Sequence, residues 1–288
     1  MQSSITHIQK ELQGLYPETE IRSFTNLMIE KLTGYSRTQI ILNKNTLFSD
    51  IQRHEIESFI ELLKKHVPIQ YILGETEFYG LPFRVNDSVL IPRPETEELV
   101  DWIRSENNRS EALNILDIGT GSGCIAIALK HEFTNAAVEA FDISDKALAT
   151  ARSNAGLNKL DVEFTKVDIL NVADQSKKWD IIASNPPYIP ELEKSEIEAN
   201  VLEHEPHLAL FVPDNDPLLF YRHIALFAKK QLNPNGKLYF EIHRDYGKEC
   251  VELLASLGFS EIELRKDISG NNRMIRSVIS NLSVISEQ

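Results

Sequence analysis

The 288-residue chain has only two cysteines, too few for a disulfide framework, and this points to a reducing compartment. No apolar run approaches the roughly 20 residues that cross a bilayer. The opening segment MQSSITHIQKELQ lacks the apolar stretch of a secretory signal. A cytoplasmic location without membrane association is therefore expected. Positive charge is also scarce. Lys and Arg number 30 against 43 Asp and Glu, and −11 of the net −13 falls beyond residue 90. A general grip on nucleic acid needs a basic face that displaces counterions from phosphates, so direct nucleic-acid binding is not expected. No repeat and no low-complexity tract is found. What remains is ordinary globular composition, 42% apolar and 25% charged, in a chain long enough to bury a core without staples. Two domains are the expectation at this length.

Residues 1–75 carry helical periodicity and predict a small N-terminal helical domain. Ile21, Phe24, Met28 and Leu32 recur at helical spacing, as do Ile56, Phe59, Ile60 and Leu63. Ser36 with Gln39, and Ser49 with Gln52, are capping-box pairs just ahead of apolar runs. Residues 76–92 change character. Aromatic and β-branched residues around Gly80 and the turn pair Asn86-Asp87 predict a β-hairpin that joins two domains.

Residues 93–288 alternate strand and helix. Strands are predicted at 114–119, 138–143, 162–168, 179–185, 237–242, 261–268 and 274–279. A helix, CIAIALK, follows the first strand. Another is predicted from Asp145 to Ala155, with Ser144 as its N-cap and Gly156 just past its end. Only a short Gly-Asn-Asn-Arg link separates the last two strands, so they are expected to pair antiparallel. The predicted fold is α/β: a seven-stranded, mostly parallel, Rossmann-like sheet with one antiparallel strand at or near its edge.

Two motifs sit where such sheets bind ligands. Asp117-Ile-Gly119-Thr120-Gly121-Ser122-Gly123 lies between the first strand and its helix. Glycines there admit a ligand close to the backbone, and the helix N-terminus offers free N–H groups. Asp142 closes the second strand, where a carboxylate can accept from both hydroxyls of a ribose. A nucleoside-containing cofactor is expected across these strand ends. The spacing is G-x-G-x-G, not the G-x-G-x-x-G of dinucleotide sites. Asp168, taken to end the third strand, and Ile169 beside it are placed near the adenine, one as an acceptor and one as a packing face.

The second motif, Asn185-Pro186-Pro187-Tyr188, follows the fourth strand. Two prolines fix the backbone and remove two donors. The carbonyls of Asn185 and Pro186, with the Asn185 side-chain oxygen, suit the two protons of a planar –NH2 group, and the Tyr188 ring can hold its plane. Such a nitrogen is a poor nucleophile because its lone pair is delocalised. Acceptors that bind its protons more strongly as it becomes tetrahedral would lower the barrier to methylation.

These residues resemble the release-factor glutamine methyltransferases, the HemK-like family. The resemblance covers nearly the whole chain: PIQYILGETEFYG (68–80), VLIPRPETEELV (89–100), LDIGTGSGCIAIAL (116–129), FDIS (141–144), SNPPYIP (184–190), EPHLAL (205–210) and FYRHI (220–224). It implies transfer of a methyl group from S-adenosyl-L-methionine to the side-chain amide of the Gln in the Gly-Gly-Gln motif of class I peptide-chain release factors. S-adenosyl-L-homocysteine is then the product. Gly119 to Gly123 and Asp142 would bind the cofactor, with Asn185 beside its methionine part. Asn185, Pro186, Pro187 and Tyr188 would hold the substrate amide, and Arg93 to Thr96 would border the cofactor pocket. The chain departs from the family pattern at VPDNDPL (212–218) and at His243, where the family's EIG reads EIH.

Other readings compete. Adenine-amino DNA methyltransferases share NPPY, but they must grip phosphates, against a charge of −13. A methyltransferase of a ribosomal-protein glutamine would carry a different sequence in place of RPETE. A non-enzymatic binding module would have lost one of the two motifs. Cys124 and Cys250 are expected to be small buried residues, and the eight His are scattered, so no metal is expected. His204 and His207 are separated by Pro206. Six Glu in 191–205 read as a solvated face, or as a surface for a basic region of the protein substrate. Nothing in the sequence demands more than a monomer.

Overall fold

Both capping boxes close. Ser36 and Ser49 each accept from the backbone N–H three residues on, and Gln39 and Gln52 return the bond, starting the helices Arg37–Leu42 and Asp50–Leu63. The computed structural model describes residues 1–279, and the chain divides into two compact units. One is Met1–Glu75 together with Glu198–His204; the other is Thr76–Ile197 together with Glu205 onward.

In the first unit the helices Gln2–Leu12, Glu18–Thr33, Asp50–Leu63 and Ile69–Leu73 bury one apolar stripe each. Ile8, Leu12, Met28, Ile29, Ile60 and Leu63 are fully enclosed. Each side chain of that size contributes roughly 1.5–3 kcal/mol on burial, which outweighs the weak helix propensity of such short segments. The short helix Ala199–His204 belongs to this unit although it lies far along the chain. His204 donates from Nε2 to the Lys65 carbonyl at 2.9 Å.

At the boundary of the second unit the chain forms a hairpin of β1 (Glu75–Phe78) and β2 (Leu81–Arg84). Its turn is Tyr79-Gly80, with φ of 53° and 71°, the two left-handed positions that a tight hairpin requires. The hairpin is therefore shorter than predicted, and Asn86-Asp87 is not part of it. Asn86 instead caps its own turn, its Oδ1 accepting from the Ser88 N–H at 3.0 Å. Asn154 decides where the hairpin goes. Its Oδ1 accepts from the Arg84 N–H at 2.7 Å and its Nδ2 donates to the Arg84 carbonyl at 3.0 Å.

The main sheet contains β3 (Asn114–Ile118), β4 (Ala137–Asp142), β5 (Glu163–Lys166) and β6 (Trp179–Ser184). After the two-residue strands β7 (Ile189–Pro190) and β8 (Phe211–Val212) come β9 (Leu232–Glu241), β10 (Phe259–Lys266) and β11 (Asn272–Ile279). The order is β10-β11-β9-β6-β3-β4-β5. All neighbours from β9 to β5 run parallel, and β11 runs antiparallel to both β9 and β10, second from the edge. Helices cover both faces. Ile115 packs on one side with Ala126, Leu129 and Ile103; Leu116 and Ile118 pack on the other with Trp179 and Phe227. That alternation is why β3 reads as a continuous apolar run.

Ser144 caps its helix as predicted, accepting from the Ala147 N–H at 3.2 Å, but the helix runs on from Asp145 to Asn158. Gly156 lies inside it, and Lys159 takes the left-handed position at φ 56°. The end is set by Leu160, whose N–H bonds the Ala155 carbonyl at 3.0 Å while its side chain packs on the core. A hydrophobic anchor after the cap outweighs the preference for glycine there.

Candidate active site

The strand order reverses between β3 and β6, so the loops at their carboxyl ends diverge and leave a crevice. A cavity of about 250 Å³ lies there. Gly119, Thr120, Gly121 and Ser122 line it, as do Asp142, Asp168, Ile169, Asn185, Pro186 and Pro187. One cavity thus gathers both motifs. Gly123 and Tyr188 stand outside its lining.

The three glycines have different tasks. All hold positive φ, at 73°, 54° and 84° for Gly119, Gly121 and Gly123. A Cβ on Gly123 would come within 3.1 Å of both Ala151 and Ile127, so this glycine lets the helix Cys124–Glu132 pack closely. A Cβ on Gly119 or Gly121 would meet nothing within 4 Å. Packing adds a second reason for glycine in the first case; in the other two the positive φ alone requires it, and the space beside them is open.

Asp142 ends β4 as predicted and ties the loop down. Its Oδ2 accepts from the Gly121 N–H at 2.9 Å and its Oδ1 from the Ser144 N–H at 2.8 Å. Burial pushes its carboxyl above the usual range, against these backbone donors. Each oxygen keeps a lone pair for a further donor. Asp168 differs from its prediction. The strand β5 ends at Lys166, so Asp168 lies in the following loop, where it accepts from the Leu170 N–H at 3.0 Å and the Asn171 amide at 2.7 Å. Its carboxylate holds its own turn.

In the NPPY segment, Ser184 anchors the approach, its hydroxyl donating to the Ile118 carbonyl at 2.6 Å. The Asn185 Nδ2 donates to Thr96 Oγ1 at 3.3 Å. The Tyr188 hydroxyl donates to Glu241 Oε1 at 3.2 Å, and its ring stands edge-on to His243 at 5.9 Å. Burial raises the Tyr188 phenol far above its ordinary value, so it stays a neutral donor.

Residues 4–74 match the PrmC N-terminal domain and residues 96–208 match the Methyltransferase small domain. A release factor glutamine methyltransferase of Flavobacterium psychrophilum is 52% identical over 274 residues, covering 94% of this chain and 96% of that protein. Another, of Bacteroides thetaiotaomicron, is 46% identical over 93% of this chain and 96% of its own length. The chain belongs to the release factor glutamine methyltransferase family. A methyltransferase of Pyrococcus furiosus, 16% identical with a TM-score of 0.51 over 81% of this chain and 100% of that one, shares the fold.

The family's PRPET and EP segments meet through a pair that local pattern did not signal. Arg93 stands just before the helix Pro94–Glu106 and donates to Glu205 Oε1 at 2.5 Å; Glu205 Oε2 accepts from the Ile91 N–H at 3.2 Å. The Glu205 side chain is 1% exposed. It was counted among the acids of the 191–205 face, and so was Glu193, which accepts from His243 Nε2 at 3.1 Å. Only part of that acidic run is a solvated face. Arg93 and Thr96 line the cavity; Pro94 and Glu95 do not. Cys250 is buried, but Cys124 is only half-buried and lines the cavity.

Asp117, at the root of the glycine loop, is fully buried. Its Oδ2 accepts from Thr120 Oγ1 at 2.6 Å and the Ala126 N–H at 3.3 Å, while Oδ1 has no partner among the described residues. Burial outweighs these bonds and pushes the carboxyl up to about 7. The folded chain then keeps a proton that the unfolded chain loses above about pH 4. Stability from this group is therefore present at low pH and lost as pH rises from about 4 toward 7. Asp117→Asn should remove that slope. In urea titrations of ligand-free protein, the wild type is expected to lose roughly 2.5–3 kcal/mol relative to the variant between pH 5 and 8. Parallel pH profiles would refute this.

Proposed function

We propose that this protein transfers a methyl group from S-adenosylmethionine to the side-chain amide nitrogen of the Gln in the Gly-Gly-Gln motif of class I peptide-chain release factors. One observation carries the reading: the glycine loop, Asp142 and Asn185-Pro186-Pro187 line a single cavity in a chain 52% identical to a protein named for this activity.

The residues fit the cofactor. Open space beside Gly119 and Gly121 leaves room for it, and the lone pairs left on Asp142 suit two ribose hydroxyls. Ile169 offers an apolar face for the base, with Asp168 beside it. When bound, S-adenosylmethionine supplies an electrophilic methyl and leaves as S-adenosylhomocysteine.

The chain's own part is alignment. Asn185 Oδ1 and the backbone carbonyl of Pro186 accept the two amide protons, Pro187 stiffens the turn, and Tyr188 flanks the substrate side. These bonds strengthen as the nitrogen lone pair localises toward the methyl, so they stabilise the transition state more than the ground state. No strong base is needed beforehand, since the cationic product amide is acidic enough to lose its proton afterward. Residues 1–75 serve as the substrate-recognition domain and 93–288 as the methyltransferase domain, with 76–92 between them. The enzyme works as a cytoplasmic monomer and contacts no nucleic acid directly.

The test uses labelled S-adenosylmethionine with an intact release factor and with its Gln→Ala form. Label is expected in the first alone. Label in both, or in neither, would refute the assignment. Methylation of an adenine amino group in DNA is the other chemistry that NPPY permits, and DNA in the same assay is expected to stay unlabelled.

A further inference from the structure

We propose that Glu241, acting through Thr96, is the positioning residue that fixes which end of the Asn185 side-chain amide faces the substrate. The inference rests on the proposed role of Asn185 Oδ1 as an acceptor and goes beyond it to what orients that oxygen.

A side-chain amide has two near-isosteric ends, one donor and one acceptor. Facing a substrate –NH2, the acceptor end binds and the donor end repels. Something must choose between them. Thr96 and Glu241 are each 2% exposed, so neither can turn to water for an alternative partner. The Thr96 hydroxyl donates to Glu241 Oε2 at 2.6 Å. A hydroxyl has one proton, so Thr96 can then only accept from any other neighbour. The Asn185 amide lies 3.3 Å from that oxygen, and only its Nδ2 end can donate there. Oδ1 is left for the substrate, and no hydrogen bond within the described residues takes it up.

Glu241 serves two members of the site at once. Its other oxygen accepts from the Tyr188 hydroxyl at 3.2 Å. Three segments distant in sequence are joined: the first turn of the helix Pro94–Glu106, the NPPY turn and the end of β9, which pairs with β6 just before Asn185. Burial raises the Glu241 carboxyl, against the Thr96 bond, the Arg273 charge and the Tyr188 bond. An amide at position 241 could instead donate to Thr96. The Thr96 proton would then be free to point at Asn185, which reverses the polarity of the relay and favours the flipped amide.

The test compares Thr96→Val, Thr96→Ser and Glu241→Gln in the full chain. The measurements are kcat, KM for the release factor and Kd for S-adenosylhomocysteine. Thr96→Val is expected to lower kcat about 10- to 100-fold, since misplacement by about 1 Å can cost up to about 10²-fold. KM and Kd should stay within about threefold. Thr96→Ser, which keeps the hydroxyl, should restore kcat to within about threefold of wild type. Glu241→Gln should match Thr96→Val, and the double variant should be no worse than either alone. A Thr96→Val enzyme with wild-type kcat would overturn the relay. So would parallel losses of kcat and cofactor binding, or failure of serine to rescue. Independently of turnover, exchange of the Asn185 Nδ2 protons, followed by NMR, should be slow in the wild type and in Thr96→Ser and fast in Thr96→Val. Equal exchange in all three would overturn the proposal. Inactivity of the wild type toward release factors, by contrast, would refute only the substrate assignment.

Discussion

Asn185→Ala is expected to abolish methyl transfer, a loss of at least about 10³-fold, while S-adenosylmethionine affinity stays within about tenfold. Loss of one preorganised hydrogen-bond partner of a developing charge typically costs 10²–10³ in kcat. In the proposed role the missing acceptor also holds the nucleophile in line, so the alignment term is lost too. The proposed cofactor contacts at the glycine loop and Asp142 are untouched, since neither hydrogen-bonds Asn185. Single-turnover rates at saturating cofactor separate the two effects. A variant that turns over at the wild-type rate would leave the NPPY mechanism without its acceptor. A variant that binds cofactor 10³-fold more weakly would move Asn185 from the amide to the cofactor.

The converse result is expected at Asp142. Asp142→Ala should weaken cofactor binding about 100-fold. Hydrogen bonds to a charged group contribute roughly 1.5–3 kcal/mol each, and two of them, not fully additive, give a loss near 3 kcal/mol, or about two decades in Kd. The variant also deprives the Gly121 and Ser144 N–H groups of their acceptor, so the loop itself loosens. At saturating cofactor, kcat should recover to within a few-fold. The sign with pH follows from burial. The Asp142 carboxyl titrates above the usual aspartate range, and its protonated form accepts poorly. Cofactor affinity should therefore fall on acidification, beginning at a higher pH than an exposed aspartate would set. Calorimetric titration with S-adenosylhomocysteine across pH checks this, and Asp142→Ala should show the flatter profile.

Contiguous signals were legible in the sequence and dispersed ones were not. The order of strands and helices follows from apolar runs separated by turns, and the glycine loop and NPPY are each one short segment. Asp142 is readable because it closes a strand. Thr96 and Glu241 gave no such sign, since the hydrogen bond that gives them meaning joins residues 145 apart in sequence. Glu205 was hidden differently, among five other glutamates from which only its burial against Arg93 separates it. Two of the errors in local structure share that cause. Tyr79-Gly80 and Asn86-Asp87 both have turn chemistry, and Asn154, some 70 residues on, grips the strand that follows the first. Gly156 has the residue type of a helix end, but Leu160 reaches the core only if the helix continues to Asn158.

The assignment of Glu198–His204 to the first unit bears on how this protein can be cut. The chain passes from one unit to the other at 75/76, again at 197/198 and again at 204/205. A truncation that begins at residue 76 would therefore not yield an autonomous half. It would strand a short helix whose carbonyl partner at Lys65 has been deleted, in the very connection that follows NPPY. Co-expression of 1–75 with 76–288 is a fairer dissection than either piece alone, because the two polypeptides can reassemble around that helix. By the same token, an insertion or graft is better placed at 107–113, between a helix and a strand of a single unit, than anywhere in 191–205.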